Sequence, residues 1–151
     1  MLEVDHPADM KAYIGKDVGT SEWVLVNQAT INAFADATGD HQWIHVDVER
    51  AKKEMPGGKT IAHGYLTLSL LPRLSAGVYR IRNTSRGINY GSNKVRFTSP
   101  VQVGSRVRLR QVLKSVEDIA GGVRMTFDST VELEGSDKPA LFAEALVLAF
   151  D

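Results

Sequence analysis

The sequence predicts an α+β fold in which an antiparallel sheet of five or more strands wraps around one apolar helix. Three observations predict it. The segment from about residue 62 to 78 is helical in pattern and apolar nearly all round, through Tyr65, Leu66, Leu68, Leu70, Leu71 and Leu74. A helix without a polar face is expected to be buried on every side. Helical segments lie early in the chain and long strand-like segments late, the order of an α+β fold. The late segments alternate apolar and polar residues at period two, as strands with one buried face do.

Each element has its own signal. Residues 7–14 read as a short helix ended by Gly15. Ser21 to Val26, with Trp23, Val24 and Val26, reads as a strand. Asn27 caps a helix carrying Ile31, Phe34 and Ala35 at helical spacing. That helix ends near Thr38-Gly39, where glycine permits a positive φ. Asp47 caps a further helix, Val48 to Lys53, which Met55-Pro56-Gly57-Gly58 breaks. The central helix begins near Ala62, and Pro72 is expected to kink or shorten it because proline has no N–H. Arg86 to Phe97 is a strand with a bulge at Gly91. Val107, Leu109 and Leu113 alternate with Arg106, Arg108 and Arg110. After a hairpin at Gly121-Gly122, Val123, Met125, Phe127, Val131 and Leu133 alternate with polar residues. Ala140 to Phe150 is almost continuously apolar, which suits a central or doubly covered strand. The 151 residues read as one domain, 1–151, without repeat or linker.

Composition narrows the function. Lys and Arg number 18, Asp and Glu 18, so the formal net charge is zero. That balance argues against a nucleic-acid or polyanion binder and leaves self-association unopposed by charge. With no cysteine, thiol and disulfide chemistry are excluded. No long apolar run and no signal-like N-terminus is present, so a cytoplasmic protein without a membrane partner is expected.

Two short stretches concentrate the chemistry. Ala37-Thr38-Gly39-Asp40-His41-Gln42-Trp43-Ile44-His45 joins two helical segments. On a regular helix Asp40 and His45 would point about 140° apart, so they share a site only across an irregular loop. A carboxylate and an imidazole converging on one water form a general acid/base pair. Taken alone, Asp40 reads equally as a helix cap and His45 as a structural hydrogen-bonder. The second stretch, Thr60-Ile61-Ala62-His63-Gly64-Tyr65, opens the central helix, where unpaired N–H groups and a positive partial charge meet a glycine that allows close approach. Such a helix start suits a carbonyl oxygen that gains negative charge during reaction. His41 and His45 are four apart, but a metal site needs a third ligand and an unbroken helix, so no metal is expected. His63 reads as a hydrogen-bonder at the helix start. No glycine-rich phosphate loop is present, so no nucleotide cofactor is expected.

These residues resemble the MaoC-like family of R-specific enoyl-CoA hydratases, and within it the subgroup that includes nodulation protein N. The family motif of an aromatic, Gly-Asp, an aliphatic, His and a later Ala is matched by Phe34, Gly39, Asp40, Ile44, His45 and Ala51, while Gln42 and Trp43 stand where Asn-Pro is usual. The resemblance runs from about Ser21 to Phe150. It implies the hot-dog fold, Asp40 and His45 as the catalytic pair, and Gly64 as the donor to the thioester oxygen. It further implies an acyl-CoA substrate, a homodimer and no cofactor. The implied reaction is reversible hydration of a trans-2-enoyl-CoA to the (R)-3-hydroxyacyl-CoA. An acyl-CoA thioesterase and a non-catalytic acyl-thioester binder, with Trp43 in the water site, are the alternatives. Gln42, Trp43, His63, Ser69, Asn89, Tyr90 and Asn93 are then candidates to line the substrate. For Ser69 a bond back to its own helix, and for the asparagines and Tyr90 a solvated strand end, are equally open. Lys94, Arg96, Arg106, Arg108 and Arg110 read either as contacts for coenzyme A phosphates or as a solvated sheet face.

Overall fold

The structure is a computed structural model that describes residues 1–151. Its frame is a six-stranded antiparallel sheet built from β2 (Asp17–Thr20), β3 (Val24–Leu25), β5 (Arg86–Phe97), β6 (Arg106–Ile119), β7 (Gly122–Leu133) and β8 (Leu141–Phe150). The spatial order is β2-β6-β7-β8-β5, with β3 also on β6. β8 is therefore central, as its apolar run requires, and β5 is an edge. β1 (Leu2–Val4) pairs in parallel with β4 (Tyr79–Ile81) in a separate two-stranded ribbon. The helices are α1 (Gln28–Thr38), α2 (Trp43–Val46), α3 (Val48–Glu54), α4 (Gly64–Ser69) and α5 (Leu71–Ser75).

Period-two alternation puts Val107, Leu109, Leu113, Met125, Phe127 and Val131 into the core, where Leu66, Leu70 and Leu74 of the helical layer also lie. The predicted hairpin forms: Gly121 has φ 78° and Ile119 pairs with Gly122. The predicted bulge lies between Asn89 and Gly91, where the β5–β8 register shifts. Asn27 and Asp47 cap α1 and α3 as expected, accepting from the N–H groups of Thr30 and Arg50.

Four expectations are corrected. The central helix is two short pieces hinged at Leu70 and spans 64–75 rather than 62–78. Pro72 sits in the first turn of α5, where its missing N–H costs nothing, and cannot continue the ladder of α4. Nor is this layer buried on every side, since Tyr65 is 69% exposed. The strand expected at Ser21–Val26 is only two residues long, while β1, β2 and β4 carry too few residues for a period to be visible. Residues 7–13 form a 3₁₀ helix.

Candidate active site

Asp40 is aimed by the end of α1. Gly39 closes that helix with φ 78°, a left-handed conformation that favours glycine, and its N–H bonds to the carbonyl of Ala35 at 2.8 Å. The chain then leaves the helix axis, and Asp40 stands in the short loop before α2. His45 is not in an irregular loop, as expected, but on the single helical turn Trp43–Val46; only residues 39–42 are irregular. That turn rotates His45 back toward Asp40. Gln28 of α1 ties the turn in place, donating to the carbonyl of His45 at 2.7 Å and accepting from the Thr60 hydroxyl at 2.6 Å. His63, just before α4, donates Nε2–H to the carbonyl of Asp40 at 2.9 Å. The rings of His45 and His63 stack with centroids 3.8 Å apart and planes 24° apart, and Phe34 packs on His63 at 4.9 Å. One side-chain oxygen or nitrogen from each of Asp40, His45 and His63 lies within 4.8 Å of the other two.

Hydrogen bonding assigns the protons. A carbonyl only accepts, so the 2.6 Å contact of His45 Nδ1 with the Ile61 carbonyl places the hydrogen on Nδ1 and leaves Nε2 free. His45 is 6% exposed, and burial holds its pKa below the ordinary imidazole value of 6.5. The Ile61 carbonyl opposes that shift, His63 adds to it, and Asp40 opposes it least. His45 is therefore a neutral imidazole with a bare nitrogen beside a carboxylate. His63 Nδ1 is buried without a hydrogen-bond partner. Stacked, nearly parallel rings cannot aim two in-plane lone pairs at one ion about 2 Å from both. The geometry suits a proton shuttle and not a metal centre.

Gly64 opens α4 beside this cluster, and the first N–H groups of a helix have no acceptor within it. The glycine is required by its neighbour: a Cβ there would stand 2.9 Å from Cδ1 of Phe97. The ring of Phe97 instead lies against the helix start and meets Tyr65 edge-on at 5.8 Å. Beyond Ser69 a cavity of about 780 Å³ opens between α4–α5 and strands β5 and β8, walled by Leu68, Leu71, Pro72, Val95, Leu146 and Val147 among others.

A family model described as "MaoC like domain" matches residues 9–134. The chain belongs to the MaoC-like domain family. Among MaoC-like relatives, it is 56% identical over 148 residues to 3-hydroxyacyl-thioester dehydratase Z of Mycobacterium tuberculosis, covering 97% of each chain. It is 49% identical over 147 residues to nodulation protein N of Rhizobium leguminosarum bv. viciae, covering 95% of this chain and 91% of that one. Among solved structures it matches unliganded R-hydratase PhaJ1 from Pseudomonas aeruginosa with a TM-score of 0.73 at 22% identity, over 91% of this chain and 82% of that one. That likeness fixes the fold as the hot-dog type of the MaoC-like proteins.

The remaining predicted residues divide. Ser69 donates to the Tyr65 carbonyl at 2.6 Å, the bond back to its own helix, and also lines the cavity. Asn89 and Tyr90 line the cavity, whereas Asn93 is exposed and does not line it. Gln42 stands just before α2 without a side-chain capping bond and donates its backbone N–H to Asp40 Oδ1 at 3.4 Å. Trp43 carries the Arg50 guanidinium over its ring at 4.0 Å and is no part of the histidine stack. His41 is exposed and pairs with Asp36 at 2.9 Å, which removes the His41–His45 metal reading. Arg106 pairs with Glu134, Arg108 with Glu132, and Arg110 with Asp17 and Glu132, so that row is a self-neutralised sheet face. Sequence reasoning missed Gln28 and Thr60, the brace beneath His45, since one Gln on a helix carries no signal.

Proposed function

We propose that this chain adds water reversibly to a trans-2-enoyl-CoA to give the (R)-3-hydroxyacyl-CoA. The observation that carries the reading is that Asp40, His45 and His63 each bring one side-chain polar atom within 4.8 Å of the others, with His45 buried, neutral and bonded through Nδ1 to the Ile61 carbonyl, beside the start of the Gly64 helix. The names of relatives run the same way: the one at 56% identity is a 3-hydroxyacyl-thioester dehydratase, the same reaction read backwards.

In the hydration direction, Asp40 and His45 hold one water. His45 Nε2 takes a proton from it while the oxygen bonds to the β-carbon. The electron pair of the double bond moves to the α-carbon and the thioester oxygen, where the Gly64 N–H stabilises the charge. The imidazolium then returns its proton to the α-carbon on the same face, and the site ends in its starting state. Asp40 orients the water and offsets the transient positive charge on His45. No metal or redox cofactor enters this scheme.

The partner in the assembly is a second copy of the chain. β5 is an unpaired edge exposed along its length, with Ile88, Tyr90 and Phe97 on the surface, which supports pairing of two sheets edge to edge. No helix is long and apolar enough to cross a membrane. A coenzyme A substrate supports a cytoplasmic location.

Crotonyl-CoA tests the reading directly. Loss of the enoyl absorbance without thiol release is expected. Release of free coenzyme A would instead indicate a thioesterase, and binding without turnover an acyl-thioester carrier.

A further inference from the structure

The end of the large cavity is polar where the core pattern calls for apolar residues. On β6, Val107, Leu109 and Leu113 point inward and are buried, and Gln111 occupies the same row at 3% exposure. On β7, Met125, Phe127 and Val131 form the matching row, and Ser129 interrupts it at 0% exposure. The two interruptions are cross-strand partners. The helical layer adds a third polar group at the same place. Ser75 of α5 donates to Gln111 Oε1 at 2.9 Å, and Gln111 Nε2 donates to Ser129 at 3.0 Å. Tyr79, stacked on Phe127 at 5.1 Å, brings its hydroxyl beside Ser75. Ser75, Tyr79 and Gln111 all line the cavity, whose other walls are mainly aliphatic.

Stability does not account for this cluster. Apolar residues of similar shape at Gln111 and Ser129 would keep the core dry and serve the fold as well. An amide nitrogen carries two hydrogens, and the structure gives Gln111 Nε2 one acceptor, Ser129. A donor is thus held at the end of a mainly apolar cavity that begins one turn beyond the Gly64 helix start.

We infer that the acyl group bound here carries an oxygen function, a hydroxyl or a carbonyl, on its tail, and that Gln111 receives it with Ser75 and Tyr79. This rests on the hydratase reading and adds a substrate class to it: 2-enoyl thioesters with oxygenated tails. A site built to hydrogen-bond a substrate oxygen discriminates against the analogue lacking it.

The test uses matched medium-chain trans-2-enoyl-CoAs ending in a methyl, a hydroxyl or a keto group, with their saturated counterparts as non-reacting ligands. Wild-type kcat/KM is expected to favour an oxygenated tail over the plain alkyl tail by about tenfold, one good hydrogen bond's worth. The hydroxyl and keto arms show which oxygen is taken. Gln111→Met keeps the shape, removes the donor and should reverse the ratio; Ser75→Ala should reduce it, and serves if Gln111→Met does not fold. Equal or better use of the plain alkyl chain by wild type, or a ratio unmoved in the folded variants, overturns the inference while leaving hydration intact. Conversely, tighter binding of the saturated oxygenated ligands without turnover of any enoyl substrate upholds the inference and overturns the hydratase reading.

Discussion

At the scale of single residues, the proposed mechanism depends on His45 staying neutral. Its pKa lies below the ordinary imidazole value of 6.5 because burial disfavours the cation. A base works only unprotonated, so kcat/KM should hold as pH falls to 6.5 and decline below it, with the acid limb displaced downward from an ordinary histidine's. The same shift enters stability with a definite sign. The unfolded chain binds the proton more readily, so His45's contribution is fully present above 6.5 and is lost as pH falls toward the folded value. A pH profile with its acid limb above 6.5 would contradict this assignment. Gly64 gives a second prediction. Gly64→Ala sets a methyl 2.9 Å from Phe97 Cδ1, so the ring or the helix start must move, and displaced donors should cost ~10²-fold in turnover. Phe97→Ala in the Gly64→Ala background removes the obstacle and should recover much of that loss; no recovery would mean the glycine matters for another reason.

At the scale of elements, the loop that carries Asp40 is aimed by helix ends. Asn27 Oδ1 accepts from Thr30 N–H at 2.9 Å and fixes the start of α1, whose other end releases Asp40. Asn27→Ala should cost about 1 kcal/mol, read as a lower denaturant midpoint at unchanged slope. This scale also marks what the sequence made legible. Caps, the Gly91 bulge and the Gly121 hairpin were readable because each rests on a local rule about one or two residues. The break at Leu70 was readable only as a kink near Pro72, since where a helix divides depends on how it meets the sheet. Asp40 and His45 were visible as types, but the helical turn that brings them together was not. Nothing local distinguishes Trp43–Val46 from loop; Gln28, fifteen or more residues away in sequence, holds it. The row breaks at Gln111 and Ser129 are visible in the alternation, but a polar residue in an apolar row carries no signal of its own until a cavity lies beside it.

At the scale of the whole molecule, the sheet ends in an unpaired strand with apolar residues exposed on it, and the proposed assembly covers that strand with a second copy. Light scattering should give twice 16.6 kDa. Ile88→Lys places a charge on the exposed β5 edge and should shift the mass toward the monomer. A monomeric wild type at micromolar concentration would rule out that assembly.

The central claim is that Asp40 and His45 act together on one water. The measurement that tests it is the turnover of crotonyl-CoA by wild type, Asp40→Asn, His45→Gln and the double variant, followed as enoyl absorbance. Each single change should lower kcat by ~10²–10⁴, and the double variant should be scarcely worse than either, because groups acting on one water behave as a unit. Losses that multiply, or a folded single variant that keeps wild-type turnover, would contradict it.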